Sequence, residues 1–138
     1  MIFLDSWVWL EFVFEGEKAA ETEAVIEKAN SPDEGGLIAP TVLAEVTYRV
    51  RRVEDGKTAR EVVAAIQDYE YIESIPVVDD IGTYAAELRA EYCQPGERKL
   101  SYADTIHLAV ASLHEECHTL YSGDSDFENL DEIETVVL

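Results

Sequence analysis

Basic residues are scarce in this 138-residue chain, which has ten Lys and Arg against thirty Asp and Glu and a formal net charge of −20. Affinity for nucleic acid normally comes from Lys and Arg, so the overall charge has the wrong sign for that class of partner. Disorder is not the explanation, because 47% of the residues are hydrophobic and they recur periodically. We interpret the acidity as adaptation to molar salt, where charges are screened within about 3 Å. A halophilic origin is therefore our hypothesis.

Cysteines and long apolar runs are also few. Cys93 and Cys117 are far apart in sequence and form no CxxC pair, so we expect free thiols that serve packing. The first apolar run, residues 2–4, meets Asp5 too soon for a signal peptide, and no later run approaches the ~20 residues of a membrane span. We expect a cytoplasmic protein folded as one domain over residues 1–138.

Short apolar runs alternate with segments of helical periodicity, which predicts an α/β fold with a mainly parallel sheet. We predict strands at residues 2–5, 37–39, 71–76, 119–122 and 134–137. We predict helices at residues 7–14, 17–29, 40–54, 58–69, 81–93 and 101–116. In the last helix, the spacing predicts that Ala103, Ile106, Val110 and Leu113 face the core, with Asp104 and His107 on an adjacent face.

Four acids occupy junctions between these elements: Asp5, Glu45, Asp104 and Asp124. Asp5 and Asp124 each follow a strand, so they should project from the carboxyl edge of the sheet, where parallel sheets bind ligands. Their neighbours are mostly apolar, and partly buried acids must be neutralised, paired or metal-bound. Divalent metals held by carboxylates catalyse phosphoryl transfer. The pattern therefore predicts a metal-binding acidic cluster.

Each acid also has a plain structural explanation. Asp124 can open a turn, and Asp126 can cap the next one. Asp104 lies three residues after Ser101, which fits a capping box, and Glu45 can form an ion pair with Arg49 one helical turn later. Both explanations stay open for every acid at this point.

Four motifs occur in order along the whole chain: Asp5-Ser6 after the first strand, Pro40 with Glu45-Val46 following, SYADTIHLA at 101–109 and SGDSDF at 122–127. Together they resemble a PIN-domain nuclease, and most of all the VapC-type toxins of toxin–antitoxin systems. The resemblance implies a three-layer α/β/α fold around a central, mainly parallel sheet. It also implies metal-dependent endoribonuclease activity on structured RNA such as tRNA. One departure is Thr105, where this family usually has alanine.

The resemblance assigns roles to individual residues. The catalytic acidic quartet of the family, which holds Mg²⁺ or Mn²⁺, is matched by Asp5, Glu45, Asp104 and Asp124, with Asp5, Asp104 and Asp124 as the expected metal ligands. Ser122 matches a small hydroxyl position near the fourth acid, and Asp126 is an auxiliary acid. The family also implies a cognate antitoxin, received near the apolar segment 7–14, and pairing of two copies as a homodimer.

Half of the cations lie within one twelve-residue stretch: Arg49, Arg51, Arg52, Lys57 and Arg60. This cluster is either a solvated helix face with ordinary ion pairs or a patch that contacts the phosphates of RNA. Residues 114–118 read H-E-x-x-H, the zinc-protease signature. That motif must lie inside a helix, whereas we expect the helix to end here, so we interpret these residues as surface residues at a helix terminus.

With what this resemblance implies, we expect a metal-dependent endoribonuclease that acts as the toxin of a toxin–antitoxin pair. Two alternatives stay open. One is a PIN-domain RNA-processing nuclease without an antitoxin, and the other is a non-catalytic acidic α/β binding module whose acids serve only solubility in salt.

Overall fold

A computed structural model describes residues 1–138 and has a five-stranded, wholly parallel sheet. The strands are β1 (Ile2–Leu4), β2 (Gly36–Ile38), β3 (Ile72–Ser74), β4 (Thr119–Ser122) and β5 (Glu134–Val137). The helices are α1 (Ser6–Val13), α2 (Ala19–Ala29), α3 (Pro40–Val53), α4 (Gly56–Gln67), α5 (Asp79–Tyr92) and α6 (Tyr102–Leu113), with a 3₁₀ turn at Ser125–Phe127. The predicted α/β/α fold is confirmed, and every predicted element is present with its ends within a few residues of the prediction.

The central strands are apolar throughout because both faces of the sheet are covered. The three residues of β1 have no solvent exposure, and Leu37 and Leu120 on the neighbouring strands are equally buried. Continuous apolar runs are typical of parallel strands in such a position. These residues join the helices in a single core cluster. None of the helices has the length and apolar character needed to cross a membrane.

Strand order determines where a ligand can bind. The sheet order is β3-β2-β1-β4-β5, so the chain winds outward from β1 in one direction and then in the other. The crevice between β1 and β4 is therefore the switch point at which parallel sheets bind ligands. Leu4 is in register with Tyr121, and the Asp5 backbone N–H donates to the Tyr121 carbonyl at 3.0 Å. Asp5 and the residues after Ser122 consequently emerge side by side at this crevice.

The prediction for the core face of α6 was partly wrong. Leu113 is 50% exposed, whereas Leu108, Ala109 and Ala111 are fully buried. The helix packs against α5 and α3 on its outer sides and against β1 and β4 beneath. Because other elements cover α6 from more than one direction, residues on more than one side of the helix are buried. A prediction that assumes one core-facing side is therefore incomplete.

The helix α6 also ends before the H-E-x-x-H motif. Leu113 is its last residue, and His114 already has an extended backbone. His118 is an exposed side chain that contacts Glu34 and Thr119. The two histidines do not lie on one face of a helix, so the arrangement needed for a zinc protease does not form.

We predict that Gly36→Ala destabilises the protein whereas Gly82→Ala stabilises it. A Cβ atom at Gly36 would lie 2.9 Å from both Ala29 Cβ and Ile72 Cγ1, so α2 and β3 would have to move apart. Overpacking of this kind costs about 1–3 kcal/mol. A Cβ at Gly82, inside α5, meets nothing within 4 Å, and alanine gains about 1 kcal/mol over glycine in a helix interior. Urea unfolding measures both changes, and equal midpoints for the two variants would contradict the packing described.

Candidate functional site

A cleft of about 440 Å³ opens at the carboxyl edge of the sheet. All four acids of the predicted quartet line it: Asp5, Glu45, Asp104 and Asp124. Its remaining lining residues are Ser6, Trp7, Leu10, Tyr48, Arg49 and Ser101. The four acids come from the end of β1, from α3, from α6 and from the turn after β4. The structure therefore brings together residues up to 119 positions apart, while their catalytic role stays a prediction.

Asp5 is the most buried of the four acids, with 3% exposure. Its Oδ1 atom lies 2.7 Å from His107 Nδ1, and its Oδ2 atom accepts a hydrogen bond from the Ser122 hydroxyl at 2.8 Å. Burial alone would raise the pKa of Asp5, but the hydrogen bond and charge of His107, together with Ser122, hold that pKa below its ordinary value. Asp5 is thus a buried carboxylate that stays ionised.

His107 links two walls of the cleft. It is fully buried, and its second ring nitrogen, Nε2, lies 2.8 Å from Thr41 Oγ1 and 3.7 Å from Glu45 Oε1. The sequence placed His107 beside Asp104, which is correct, but its hydrogen bonds to Asp5 and Thr41 were not foreseen. No local pattern signals a bond that spans 102 residues. Both ring nitrogens are engaged, so His107 orients the oxygen atoms around it.

Asp104 serves as a helix cap and faces the cleft at the same time. Its Oδ2 atom accepts from the Ser101 backbone N–H at 3.0 Å, and the Ser101 hydroxyl accepts from the Asp104 N–H at 3.1 Å. The capping box proposed as a structural explanation is therefore present. Burial raises the pKa of Asp104 to about 6, and the nearby negative charge of Asp5 adds to this effect against the Ser101 hydrogen bonds. The cap fixes the position of a carboxylate whose charge is poorly compensated.

Glu45 binds a neighbour across the cleft. Its Oε1 atom accepts a hydrogen bond from the Ser6 hydroxyl at 2.9 Å, and the side chain is 38% exposed. The ion pair with Arg49 suggested by helical spacing does not form within 4.0 Å. Arg49 instead lines the cleft separately. Glu45 is therefore held by Ser6, the residue after Asp5, and this bond ties α3 to the start of α1.

Ser122 and Asp124 extend the hydrogen-bond chain that starts at Asp5. The fully buried Ser122 hydroxyl, which donates to Asp5, accepts from the Asp124 backbone N–H at 3.1 Å. Asp124 Oδ1 in turn accepts from the Asp126 N–H at 2.9 Å and so caps the 3₁₀ turn. The Asp126 side chain does not line the cleft; it lies in a separate depression with residues 96–99.

Gly123 and Thr105 each fit a tightly packed position near the cleft. A Cβ atom at Gly123 would lie 2.1 Å from the Trp7 ring, so only glycine lets this turn lie against that wall of the cleft. The buried Thr105 hydroxyl lies 3.2 Å from the Ser101 carbonyl and 3.1 Å from the Tyr102 carbonyl. The hydroxyl group that threonine adds at position 105, where the family usually has alanine, therefore has its hydrogen-bond partners in the first turn of the helix.

The basic stretch lies on α3 and α4, and of its five cations only Arg49 lines the cleft. All five cations are exposed: Arg49, Arg51, Arg52, Lys57 and Arg60. Only Lys57 forms an ion pair, with Glu61 at 4.0 Å. The interpretation of this stretch as a face of ordinary ion pairs therefore receives little support.

The residues of the cleft fit a hard divalent cation. Asp5, Asp104 and His107 each offer one ligand atom within 4.8 Å of the others. Because both nitrogens of His107 have partners, the atoms left to coordinate in this group are the carboxylate oxygens of Asp5 and Asp104. Asp124 lines the same cleft but does not belong to this group. Oxygen ligands suit Mg²⁺ and Mn²⁺. The raised pKa of Asp104 indicates that a nearby positive charge would stabilise the ionised site.

We predict that Asp104→Asn stabilises the metal-free protein at neutral pH. The pKa of Asp104 is about 6 in the folded state and 3.8 as its ordinary value, so keeping it ionised costs stability above pH 6. This cost fades as the pH falls from 6 towards 4, because the folded state then takes up the proton. Asparagine has no charge and can still accept the Ser101 hydrogen bond. Thermal unfolding in EDTA should give the variant a higher Tm at pH 7.5 and nearly the wild-type Tm at pH 4.5; a gap that widens at low pH would contradict the account.

Comparison with known proteins agrees with this fold. The chain matches the PIN domain family model over residues 2–133. VapC20 from Mycobacterium tuberculosis, described as a Sarcin–Ricin loop cleaving toxin, superposes with a TM-score of 0.75 at 21% identity, covering 97% of this chain and 99% of that one.

Two further solved structures are similar. VapBC2 from Rickettsia felis, bound to a promoter DNA fragment, gives a TM-score of 0.75 at 19% identity over 99% of this chain and 98% of that one. A toxin–antitoxin complex from Klebsiella pneumoniae gives 0.69 at 22% identity, over 99% and 97% of the respective chains. No curated protein sequence matches significantly. With a family model that spans nearly its whole length, the chain belongs to the PIN domain family.

Proposed function

We propose that this protein is a metal-dependent endoribonuclease that cleaves RNA phosphodiester bonds as the toxin of a toxin–antitoxin pair. The observation that carries the proposal is the meeting of four carboxylates from distant parts of the chain in one cleft. Membership of the PIN family and the likeness to a toxin that cleaves the Sarcin–Ricin loop support it. A binding module whose acids served only solubility would have no need to collect them at the switch point of the sheet.

The residues of the cleft would hold Mg²⁺ or Mn²⁺ through Asp5, Asp104 and Asp124. An ion bound there supplies Lewis-acid stabilisation of the phosphate and activation of a water molecule. Each oxygen of Asp5 accepts one hydrogen bond, and an ionised carboxylate has about four acceptor sites, so Asp5 keeps lone pairs for coordination. Ser122 and His107 fix its orientation. Glu45, held by Ser6, places a further carboxylate on the α3 side of the cleft, where it can accept a proton.

An antitoxin partner is supported by the similar structures, because the Klebsiella pneumoniae structure is a toxin–antitoxin complex. The helix α1 offers apolar side chains that the core covers only in part, at Trp7, Leu10 and Phe12. Trp7 and Leu10 also line the acidic cleft. A segment of the antitoxin lying on α1 would therefore cover the cleft as well. Pairing as a homodimer and a cytoplasmic location remain part of the proposal.

We predict that the wild type cleaves RNA with millimolar Mg²⁺ or Mn²⁺ and that Asp5→Asn and Asp104→Asn each abolish cleavage. Loss of one carboxylate removes a ligand for the ion without changing the size of the side chain. Gel analysis of RNA fragments measures the activity, and circular dichroism checks the fold. Glu87→Gln, which neutralises an exposed acid on α5 away from the cleft, is the matched control and should cleave as the wild type does. Equal cleavage by all four proteins, or cleavage that persists in EDTA, would refute the proposed function.

Ser122→Ala should give a graded loss. Its hydroxyl orients Asp5 without being one of the expected ligands, and removing such an outer partner typically costs about 10–100-fold in metal affinity or activity. Cleavage measured over a range of Mn²⁺ concentrations should show a higher metal requirement. A variant with the metal requirement of the wild type would show that this hydrogen bond does not prepare the site.

A further inference from the structure

Two tyrosine side chains lie exposed beside the acidic cleft. Tyr48 is 58% exposed and Tyr102 is 59% exposed, more than any other tyrosine of the chain. Tyr48 lines the cleft from α3, one turn after Glu45. Tyr102 is the first residue of α6, next to the cleft residue Ser101 and two residues before Asp104. Because Tyr48 lines the cleft and Tyr102 lies between the cleft residues Ser101 and Asp104 in sequence, both tyrosines belong to the end of the molecule where the cleft opens.

Each ring is paired with an arginine. The Arg89 guanidinium lies 4.2 Å from the centre of the Tyr102 ring. The Arg52 guanidinium lies 5.8 Å from the centre of the Tyr48 ring, and its Nη1 atom donates to the Tyr48 hydroxyl at 3.4 Å. These pairs hold flat rings in place while leaving more than half of each tyrosine open to solvent.

The other cation–aromatic pairs of the chain differ in their surroundings. Tyr92, which lies beneath Arg98, is half-buried and donates its hydroxyl to Glu132 at 2.8 Å. Tyr121, near Lys28, is half-buried within β4. Tyr48 lines the cleft and Tyr102 directly follows the cleft residue Ser101, so these two exposed tyrosines are the ones placed to meet a substrate that extends out of the cleft.

The charge of the chain limits what such a surface can bind. With a net charge of −20, the protein gains less from phosphate contacts than a basic protein does. Base stacking offers an attraction that does not depend on net charge, because every base has an aromatic face. Paired bases in a duplex have their faces covered, whereas unpaired bases can stack on tyrosine rings and arginine planes.

We propose that Tyr48 and Tyr102, each supported by its arginine, are base-stacking platforms that hold unpaired nucleotides of a single-stranded RNA segment at the mouth of the acidic cleft. The inference rests on the proposed function for its ligand, RNA. It makes the substrate preference a consequence of aromatic stacking more than of charge, and it assigns a substrate-positioning role to residues outside the acidic quartet.

Two measurements test this inference. In the first, fluorescence anisotropy without divalent metal follows binding of a labelled unpaired RNA ten-mer and of a matched duplex. We expect the wild type to prefer the unpaired strand, and Tyr48→Ala and Tyr102→Ala each to bind it about 5- to 150-fold more weakly. Tyr48→Phe and Tyr102→Phe keep the ring and should bind as the wild type does. Tyr71→Ala removes a 37% exposed tyrosine away from the cleft, next to β3, and is the control.

In the second measurement, cleavage of the same unpaired strand should show a raised KM in both alanine variants with kcat nearly unchanged. Unchanged affinity and KM in both variants, in a wild type that cleaves, would overturn the stacking proposal and leave the proposed function intact. A wild type that binds the unpaired strand through these rings but cleaves no RNA would refute the proposed function and leave the stacking surface standing. Preference for the duplex would overturn the stacking proposal by itself.

Discussion

Asp5 lies almost out of contact with solvent at the end of the central strand, and a carboxylate there is stable only where hydrogen bonds replace the water it has lost. His107 from α6 and Ser122 from β4 supply those bonds. Both partners form a second hydrogen bond: His107 with Thr41 on α3, and Ser122 with the turn that carries Asp124. Satisfying one buried charge thus fixes the relative positions of β1, β4, α3 and α6, which together with α1 form the cleft. The hydrogen bonds that stabilise the Asp5 carboxylate are therefore also the contacts that hold the walls of the cleft together.

The environments of the two neighbouring acids drive their pKa values in opposite directions. Asp5 has hydrogen-bond donors and a histidine partner, which hold its pKa down, whereas burial and the charge of Asp5 raise the pKa of Asp104 to about 6. Charges of like sign collected in this way destabilise the fold unless a cation joins them. The acids that cap α6 and the 3₁₀ turn serve local structure and the cleft together. A structural explanation and a functional one are therefore compatible for these residues.

Much of this arrangement follows from local sequence. Apolar runs and helix periodicity predicted each strand and helix, and the rule for carboxyl edges of parallel strands predicted that Asp5 and Asp124 would meet. The failures come from contacts that no local pattern encodes. The burial of Leu108, Ala109 and Ala111 reflects packing on several sides of α6. The bond from His107 to Asp5 joins residues 102 positions apart. The ion pair of Glu45 with Arg49, which the sequence left open, does not form, and the Glu45 carboxylate binds Ser6. The family resemblance gave Asp126 an auxiliary role; the structure places it in a depression with residues 96–99 and not in the lining of the cleft, and its role stays a prediction.

We infer that the converged carboxylates form one binding site for a hard divalent ion. Titration of Mn²⁺ into the protein, followed by the electron paramagnetic resonance signal of the free ion, tests this inference without requiring a substrate. We expect saturable binding by the wild type that competes with Mg²⁺ and is lost when Asp5 and Asp104 are both changed to asparagine, while the fold persists. Equal Mn²⁺ binding by the wild type and the double variant would contradict it, because the ion would then be held by the general acidity of the surface and not by the cleft.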